Sequence, residues 1–272
     1  MNVICIGAHP DDAEVHAGGA CLKWARAGHR VVLVSLTNGD AGHHEMPRLD
    51  LAQRRKAEAE KSAAPAGMES LVLDYHDGEF QPSLEARNDV IRIIRRYRAD
   101  VVLTHRTNDY HPDHRHAGEV VQDAAFMVMV PHICPDVPAL RKNPLFLYMM
   151  NRFCKPAPFR PDVVVDVTDV MKEKLDMLDA MESQVYEWLP WLDGRLKDVP
   201  ADSGERRRWL AEVWTPRFRQ ATARHRDAVE KWYGSAADDV EFAELFEICE
   251  YGHQPTRQEL IEVFSFRVGP ER

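Results

Sequence analysis

A series of short apolar runs, each followed by a helical pattern, narrows the fold more than anything else in this chain. "MNVICIG" (1–7), "RVVLVSLTN" (30–38), "SLVLDY" (70–75) and "ADVVLTH" (99–105) are continuous rather than alternating, and "LFLYMMN" (145–151) and "DVVVDVT" (162–168) repeat the theme. Continuous runs of this length mark strands buried on both faces, the condition of a parallel sheet. Helical patterns fall between them at residues 17–28, 50–66, 84–98, 115–129 and 169–186. Strand–helix alternation with right-handed crossovers predicts an α/β fold: a Rossmann-like, doubly wound, mostly parallel sheet with helices on both faces.

The pattern breaks at "EWLPWLDGRLKDVPADSGE" (187–205), where two prolines, two glycines and two tryptophans read as a long loop insertion. Residues 206–233 return to a helical pattern, and the tail reads as a short strand or loop and a helix, a C-terminal extension after about 247. With no repeat and no linker, residues 1–272 are expected to form one domain.

The formal net charge is −9, without the basic stripe of a nucleic-acid binder. No apolar stretch reaches the roughly 20 residues of a membrane span. The five cysteines are odd in number and include no CxxC pair, which suits reduced, packing thiols. The N-terminal run carries no basic region or cleavage site, so a cytoplasmic location is expected. The oligomeric state is open, a homo-oligomer included.

Two polar segments stand out against this frame. "AHPDDAE" (8–14) follows the first strand, and "RTNDYHPDHRHAG" (106–118) follows the fourth. Carboxylates are almost never fully buried unless paired or bound to metal, and the carboxyl ends of parallel strands form the ligand crevice of such a sheet. The two segments therefore meet at one edge although about 100 residues separate them. Catalytic zinc takes three protein ligands from His, Asp and Glu and keeps one position open. His9 and Asp12 can bite one ion from a single turn, with His114 as third ligand. Asp11 is then free to take a proton from a water in the open position. His111 faces the substrate as electrophile or acid, with Asp113 holding its imidazole in the charged form. Glu14 is the alternative base. For either motif alone there is a plainer reading, in which Asp11 or Asp12 caps the helix that follows. His43, His44, His105 and His116 read as bystanders or supporting groups and Trp188, Trp191 and Trp209 as packing residues, while the 187–205 loop reads equally as a lid that lays an aromatic such as Trp191 over the substrate.

"GAHPDDAEVHAGGA", "LTNGDAG", "QRRKAEAE" and "YHPDH", in that order, resemble the LmbE-like (PIG-L) family of zinc-dependent N-acetylglucosamine deacetylases, and "MMNRF", "AMESQ" and "FAELFE" are similar to further family segments. The resemblance runs from residue 2 to about residue 186. It implies His9, Asp12 and His114 as metal ligands, Asp11 as general base, His111 as transition-state stabiliser and Arg55 as a substrate contact near the acyl pocket; Glu14 and Asn151 are taken as further substrate contacts. The chain departs from the family at His16, where small or apolar residues are usual. It also departs around 214–222, where Trp214 and Phe218 stand in the region of a family tyrosine that holds the oxyanion.

The expected activity is thus a metal-dependent hydrolase that removes the acetyl group from an N-acetylglucosamine-type sugar or conjugate, with Zn2+, or another divalent metal, as cofactor. One rival is a zinc amidohydrolase for a different N-acyl substrate. Another is a non-catalytic Rossmann-like binding module, disfavoured because "GAHPDD" stands where such a module needs GxGxxG.

Overall fold

The computed structural model describes residues 1–266. In chain order the regular elements are β1 (Asn2–Gly7), α1 (Asp12–Arg26), β2 (Arg30–Thr37), α2 (Arg48–Ala63), β3 (Glu69–Tyr75), α3 (Leu84–Arg96), β4 (Val101–Thr104) and α4 (Pro112–Met127). They continue as β5 (Leu145–Met149), β6 (Val163–Asp166), α5 (Met171–Asp179), α6 (Leu189–Leu192), α7 (Ser203–Arg224), α8 (Arg226–Tyr233), β7 (Ala243–Ile248) and α9 (Arg257–Val263).

The strands form one sheet in the order β3-β2-β1-β4-β5-β7-β6. β3, β2, β1, β4 and β5 pair in parallel, so the α/β, doubly wound arrangement stands. β7 is the exception. It runs antiparallel between β5 and β6, with Met149 opposite Phe246 and Val164 opposite Leu245. The tail is therefore partly a strand of the sheet itself, and α9 folds back to receive the Trp24 indole N–H on the Val263 carbonyl at 2.9 Å.

Successive strand residues serve opposite faces. Val3 and Cys5 of β1 join a core built with α1, α2, α5, α7 and α9, whereas Ile4 and Ile6 join a second core built with α3 and α4. Both faces are covered, which is why the strands read as continuous apolar runs. Ser83 starts α3 by accepting the Ala86 N–H, and Thr256 and Glu259 form a reciprocal capping box on α9.

Two helices begin earlier than their apolar pattern suggests. α1 starts at Asp12 rather than 17, and α4 at Pro112 rather than 115. Asp12 and His114 of these first turns line a cavity, and with their polar neighbours they give hydrophobic periodicity nothing to register. The helix expected over 169–186 is interrupted. After α5 ends at Asp179, Ser183–Trp188 forms a π-helical turn that runs into α6, and Leu196–Asp198 adds a 3-10 turn. The segment read as a loop is thus largely a chain of short helical turns. It is held by distant polar partners. Glu58 accepts the Ser183 N–H and hydroxyl at 2.9 and 2.6 Å, and Glu187 accepts both Arg54 terminal nitrogens at 2.7 Å. No local periodicity reports such contacts. Among the described residues no helix is long and apolar enough to cross a membrane.

Candidate metal centre

The end of β1 builds the first half of the site. Gly7 is required there, since a Cβ at that position would lie 2.6 Å from the Asp12 Cβ. The space lets the Asp12 carboxylate fold back, and its Oδ2 accepts the Ala8 and His9 N–H groups at 2.9 and 2.8 Å. Asp12 thus closes the strand-end turn. Neither Asp11 nor Asp12 caps α1, as α1 has no side-chain cap hydrogen bond. The plainer reading of this motif fails here.

The β4–α4 connection supplies the other half. His9 Nδ1 lies 3.2 Å from His114 Nε2, His114 Nε2 3.3 Å from Asp12 Oδ1, and His9 Nδ1 3.5 Å from Asp12 Oδ2. A tetrahedral ion with bonds of about 2.0–2.1 Å sets its donors roughly 3.3–3.4 Å apart, so the three side chains, with Asp12 reaching His114 through Oδ1 and His9 through Oδ2, stand close enough to share one divalent cation. Three donor groupings occur among the described residues: His9–His111–His114, Asp12–His105–His114 and His9–Asp77–Asp113. The first shares His114 with the second and His9 with the third, so the donors form one connected cluster. Charge points the same way. Although burial opposes it, Asp12 and Asp109 hold His114 up to about 9, and Asp113, Asp12 and Asp77 likewise raise His9. Without a cation, neighbouring carboxylates would protonate two imidazoles whose nitrogens nearly touch. A divalent ion relieves that conflict.

Each imidazole is backed by a carboxylate, the usual support of a metal-bound histidine. His9 Nε2 is 3.1 Å from Asp77 Oδ1 and 3.2 Å from Asp113 Oδ2, and His114 Nδ1 is 3.1 Å from Asp109 Oδ1. His105 lies 3.0 Å from Asp12 Oδ2 through Nε2 and stacks on His114 at 4.1 Å. Asp77 and Asp109 escaped the sequence reading. The signal was available, since Asp109 stands just before the second motif and Asp77 follows β3, another parallel strand ending at the same edge.

Asp113 does not hold His111. Its Oδ2 accepts the Gly78 N–H at 2.7 Å and faces His9. His111 caps α4 instead, with Nδ1 accepting the Asp113 backbone N–H at 3.2 Å. That bond puts the neutral ring's proton on Nε2. Burial, followed by the charges of His9 and His114, lowers the His111 pKa, so the ring is a neutral hydrogen-bond donor rather than the charged group expected.

Asp11 sits beside the donor triangle, and burial pushes its carboxyl up to about 6 against the pull of Arg55. Arg55 is buried, with Nη2 2.9 Å from the Pro10 carbonyl and 3.3 Å from Asp11 Oδ1, and Nη1 donating to the Gly39 carbonyl at 3.1 Å. It lines the cavity, yet its two Nη groups serve the Pro10 and Gly39 carbonyls and face Asp11, while Nε has no protein partner. Asn151 also lines the cavity with its amide committed: Nδ2 donates to Asn108 O and Asp109 Oδ2 at 2.9 and 3.0 Å. Glu14 is misplaced as a substrate contact. It turns away into a small separate pocket beside Ser35 and Ala59, and burial raises its pKa to about 8.

The site opens into a cavity of about 570 Å³ at the carboxyl ends of the strands. His16, Tyr110 and Trp188 reach its wall. Burial lowers His16 to about 4, leaving it neutral. Trp188 stacks on Trp191 at 5.3 Å, and Trp191 on His44 at 5.1 Å. Trp188 is thus the indole that meets the cavity. Trp191, half-exposed, braces it from behind.

A PIG-L family model, described as GlcNAc-PI de-N-acetylase, matches residues 4–125. The diacetylchitobiose deacetylase of Thermococcus kodakarensis is 31% identical over 201 residues, covering 70% of this chain and 74% of that protein. The 4-oxalmesaconate hydratase of Pseudomonas putida is 24% identical over 195 residues, covering 69% of this chain and 75% of that one. Among solved structures, N,N'-diacetylchitobiose deacetylase from Pyrococcus horikoshii superposes with a TM-score of 0.72 at 24% identity, covering 92% of this chain and 84% of that chain. With 31% identity to the Thermococcus kodakarensis deacetylase across 74% of that protein and the family model matched over its N-terminal part, the chain belongs to the PIG-L (LmbE-like) family.

Proposed function

We propose that this chain is a zinc-dependent hydrolase that removes the acetyl group from an N-acetylglucosamine-type sugar or conjugate. The observation that carries the reading is the approach of His9, Asp12 and His114, whose nearest donor atoms lie 3.2–3.5 Å apart with both Asp12 oxygens taking part, set beside the Arg55-held Asp11 in a sugar-sized cavity. His9, Asp12 and His114 would hold the metal. When bound, it supplies a Lewis acid that acidifies water and polarises the amide carbonyl.

Asp11 acts as general base. With a pKa near 6 it is mostly ionised at neutral pH and basic enough to accept a proton, the compromise expected of a working base. Arg55 keeps its carboxylate from turning away. His111, neutral and protonated on Nε2, donates to the carbonyl oxygen as negative charge builds there. Asp11 then returns its proton to the departing amine. The five free cysteines, four of them buried, suit a reducing, cytoplasmic setting.

Acetate release from N-acetylglucosamine, its chitobiose dimer and its malate and inositol conjugates, with added zinc, tests the proposal. Chelator-sensitive release from at least one supports it, and no release from any of them refutes it. The relationship to a hydratase supports a second reading, since a base and a metal can also add water to an unsaturated polycarboxylate. Loss of dienoate absorbance without acetate release would select that reaction.

A further inference from the structure

Every carboxylate on the cavity wall already has a partner. Asp11 is 3.3 Å from Arg55, Asp77 3.1 Å from His9, Asp109 3.1 Å from His114, and Asp12 3.0 Å from His105. The cationic side chains divide differently. Arg55 commits both Nη groups to Asp11 and to carbonyls. Arg152 and Arg224 also line the cavity, and among the described residues neither has a carboxylate within 4.0 Å. Arg152 has only the Phe153 ring, 5.8 Å from its guanidinium carbon. The net charge of the chain is −9, so acids to neutralise these two were abundant, yet both line the cavity without a carboxylate partner.

Their origin sets them apart from the chemistry. Arg152 follows β5, and Arg224 ends α7, which packs on β7. The proposed ligands, base and His111 come from the β1 and β4 ends. A neutral sugar gains little from two guanidinium groups. A phosphate or carboxylate gains much, because guanidinium donors match its oxygens in pairs.

We infer that the natural substrate carries an oxyanion, a phosphate or a carboxylate, on a part remote from its acetamido group, and that Arg152 and Arg224 grip it. The inference rests on the deacetylase reading and narrows it. It sets this chain apart from a catalyst tuned to diacetylchitobiose, which has no charge.

The test compares zinc-loaded wild-type protein with R152A, R224A and the double variant. Neutral substrates are N-acetylglucosamine and diacetylchitobiose. Anionic ones are N-acetylglucosamine 1-phosphate, its 6-phosphate, and a glycoside of N-acetylglucosamine with a hydroxydicarboxylic acid. The phosphate and carboxylate arms show which oxyanion is meant. At low salt, kcat/KM should favour at least one anionic substrate by about tenfold or more, the worth of a charge-assisted contact. The preference should shrink with added salt and collapse in the double variant, mainly through KM. Equal use of neutral and anionic substrates, or a preference that survives in the double variant, overturns the inference. If no sugar releases acetate, the deacetylase reading fails, and binding then decides the oxyanion claim. N-acetylglucosamine 6-phosphate or a dicarboxylate should raise the wild-type Tm but not that of the double variant. Equal shifts, or none, overturn it. Both arginines are exposed, so the variants are expected to fold.

Discussion

Asp109 holds His114 from behind, and replacing it measures what that support is worth. Its Oδ1 faces His114 Nδ1 at 3.1 Å and accepts the His111 N–H at 3.2 Å, while its Oδ2 accepts an Asn151 Nδ2 hydrogen at 3.0 Å. A proton kept on Nδ1 leaves the His114 Nε2 lone pair facing His9 and Asp12, the tautomer a ligand needs. Asp109→Asn preserves the volume but offers one acceptor oxygen instead of two. With that oxygen toward His114, its amide hydrogens meet those of Asn151, donor against donor; turned round, it abandons His114. Asp109→Ala removes all three bonds. A hydrogen bond to a charged acceptor contributes about 1.5–3 kcal/mol, or roughly 10–150-fold in a binding constant. This agrees with the usual 10–100-fold effect of losing such a partner. Zinc Kd should therefore rise about tenfold in Asp109→Asn and nearer 100-fold in Asp109→Ala, read by competition against a chromophoric chelator. Turnover at saturating zinc should fall less than affinity does. A zinc Kd in Asp109→Ala within about twofold of wild type would show that Asp109 does not orient a metal ligand, and the proposed triangle would lose its main support.

Asp11→Asn should retain zinc while kcat falls on the order of 10²–10⁴-fold, the usual contribution of a general base; undiminished turnover would take that role away from Asp11. In Lys174→Met, the buried Glu244, now bonded to Lys174 at 2.6 Å and to the Gly19 and Ala20 N–H groups, loses its countercharge. Urea denaturation should report a loss of about 3–5 kcal/mol, and a change below about 1 kcal/mol would mean that the pair is dispensable. Gly118→Ala would place a Cβ 2.6 Å from the His105 carbonyl oxygen, so α4 must move off β4. A destabilisation of about 1–3 kcal/mol and weaker zinc binding are expected together, and an unchanged Tm would show that the helix yields freely.

That His9, Asp12 and His114 meet at one strand edge was legible because the evidence for it is local. A short apolar run identifies a buried strand from its own residues, a strand-end turn follows it, and an acid or histidine there sits at the edge where such folds bind ligands. The same logic reaches Asp77 and Asp109, although their spacing announces no motif. What stayed hidden depends on direction or on distant partners. Asp113 stands two residues after His111, yet the turn into α4 aims its carboxylate at His9 and leaves only its backbone N–H to His111. Glu14 is two residues beyond Asp12, and two residues along a helix are about 200° around its axis, so it faces away from the cavity.

Periodicity also failed over 183–205, because the partners that hold the segment, Arg54 and Glu58, lie about 130 residues earlier in the chain. Likewise nothing within "FAELFE" says that β7 enters between β5 and β6. That place depends on pairing with two strands that lie about 80–100 residues earlier in the chain. Sequence alone determined the strand–helix order and the chemistry available at the strand ends, since both follow from covalent neighbours and backbone periodicity. Only the tertiary structure decided which carboxylate supports which imidazole, that Arg55 lies against Asp11, and that Arg152 and Arg224 line the cavity without a carboxylate partner. Those outcomes depend on angles and distances summed over the whole packed chain, and no stretch of neighbouring residues contains them.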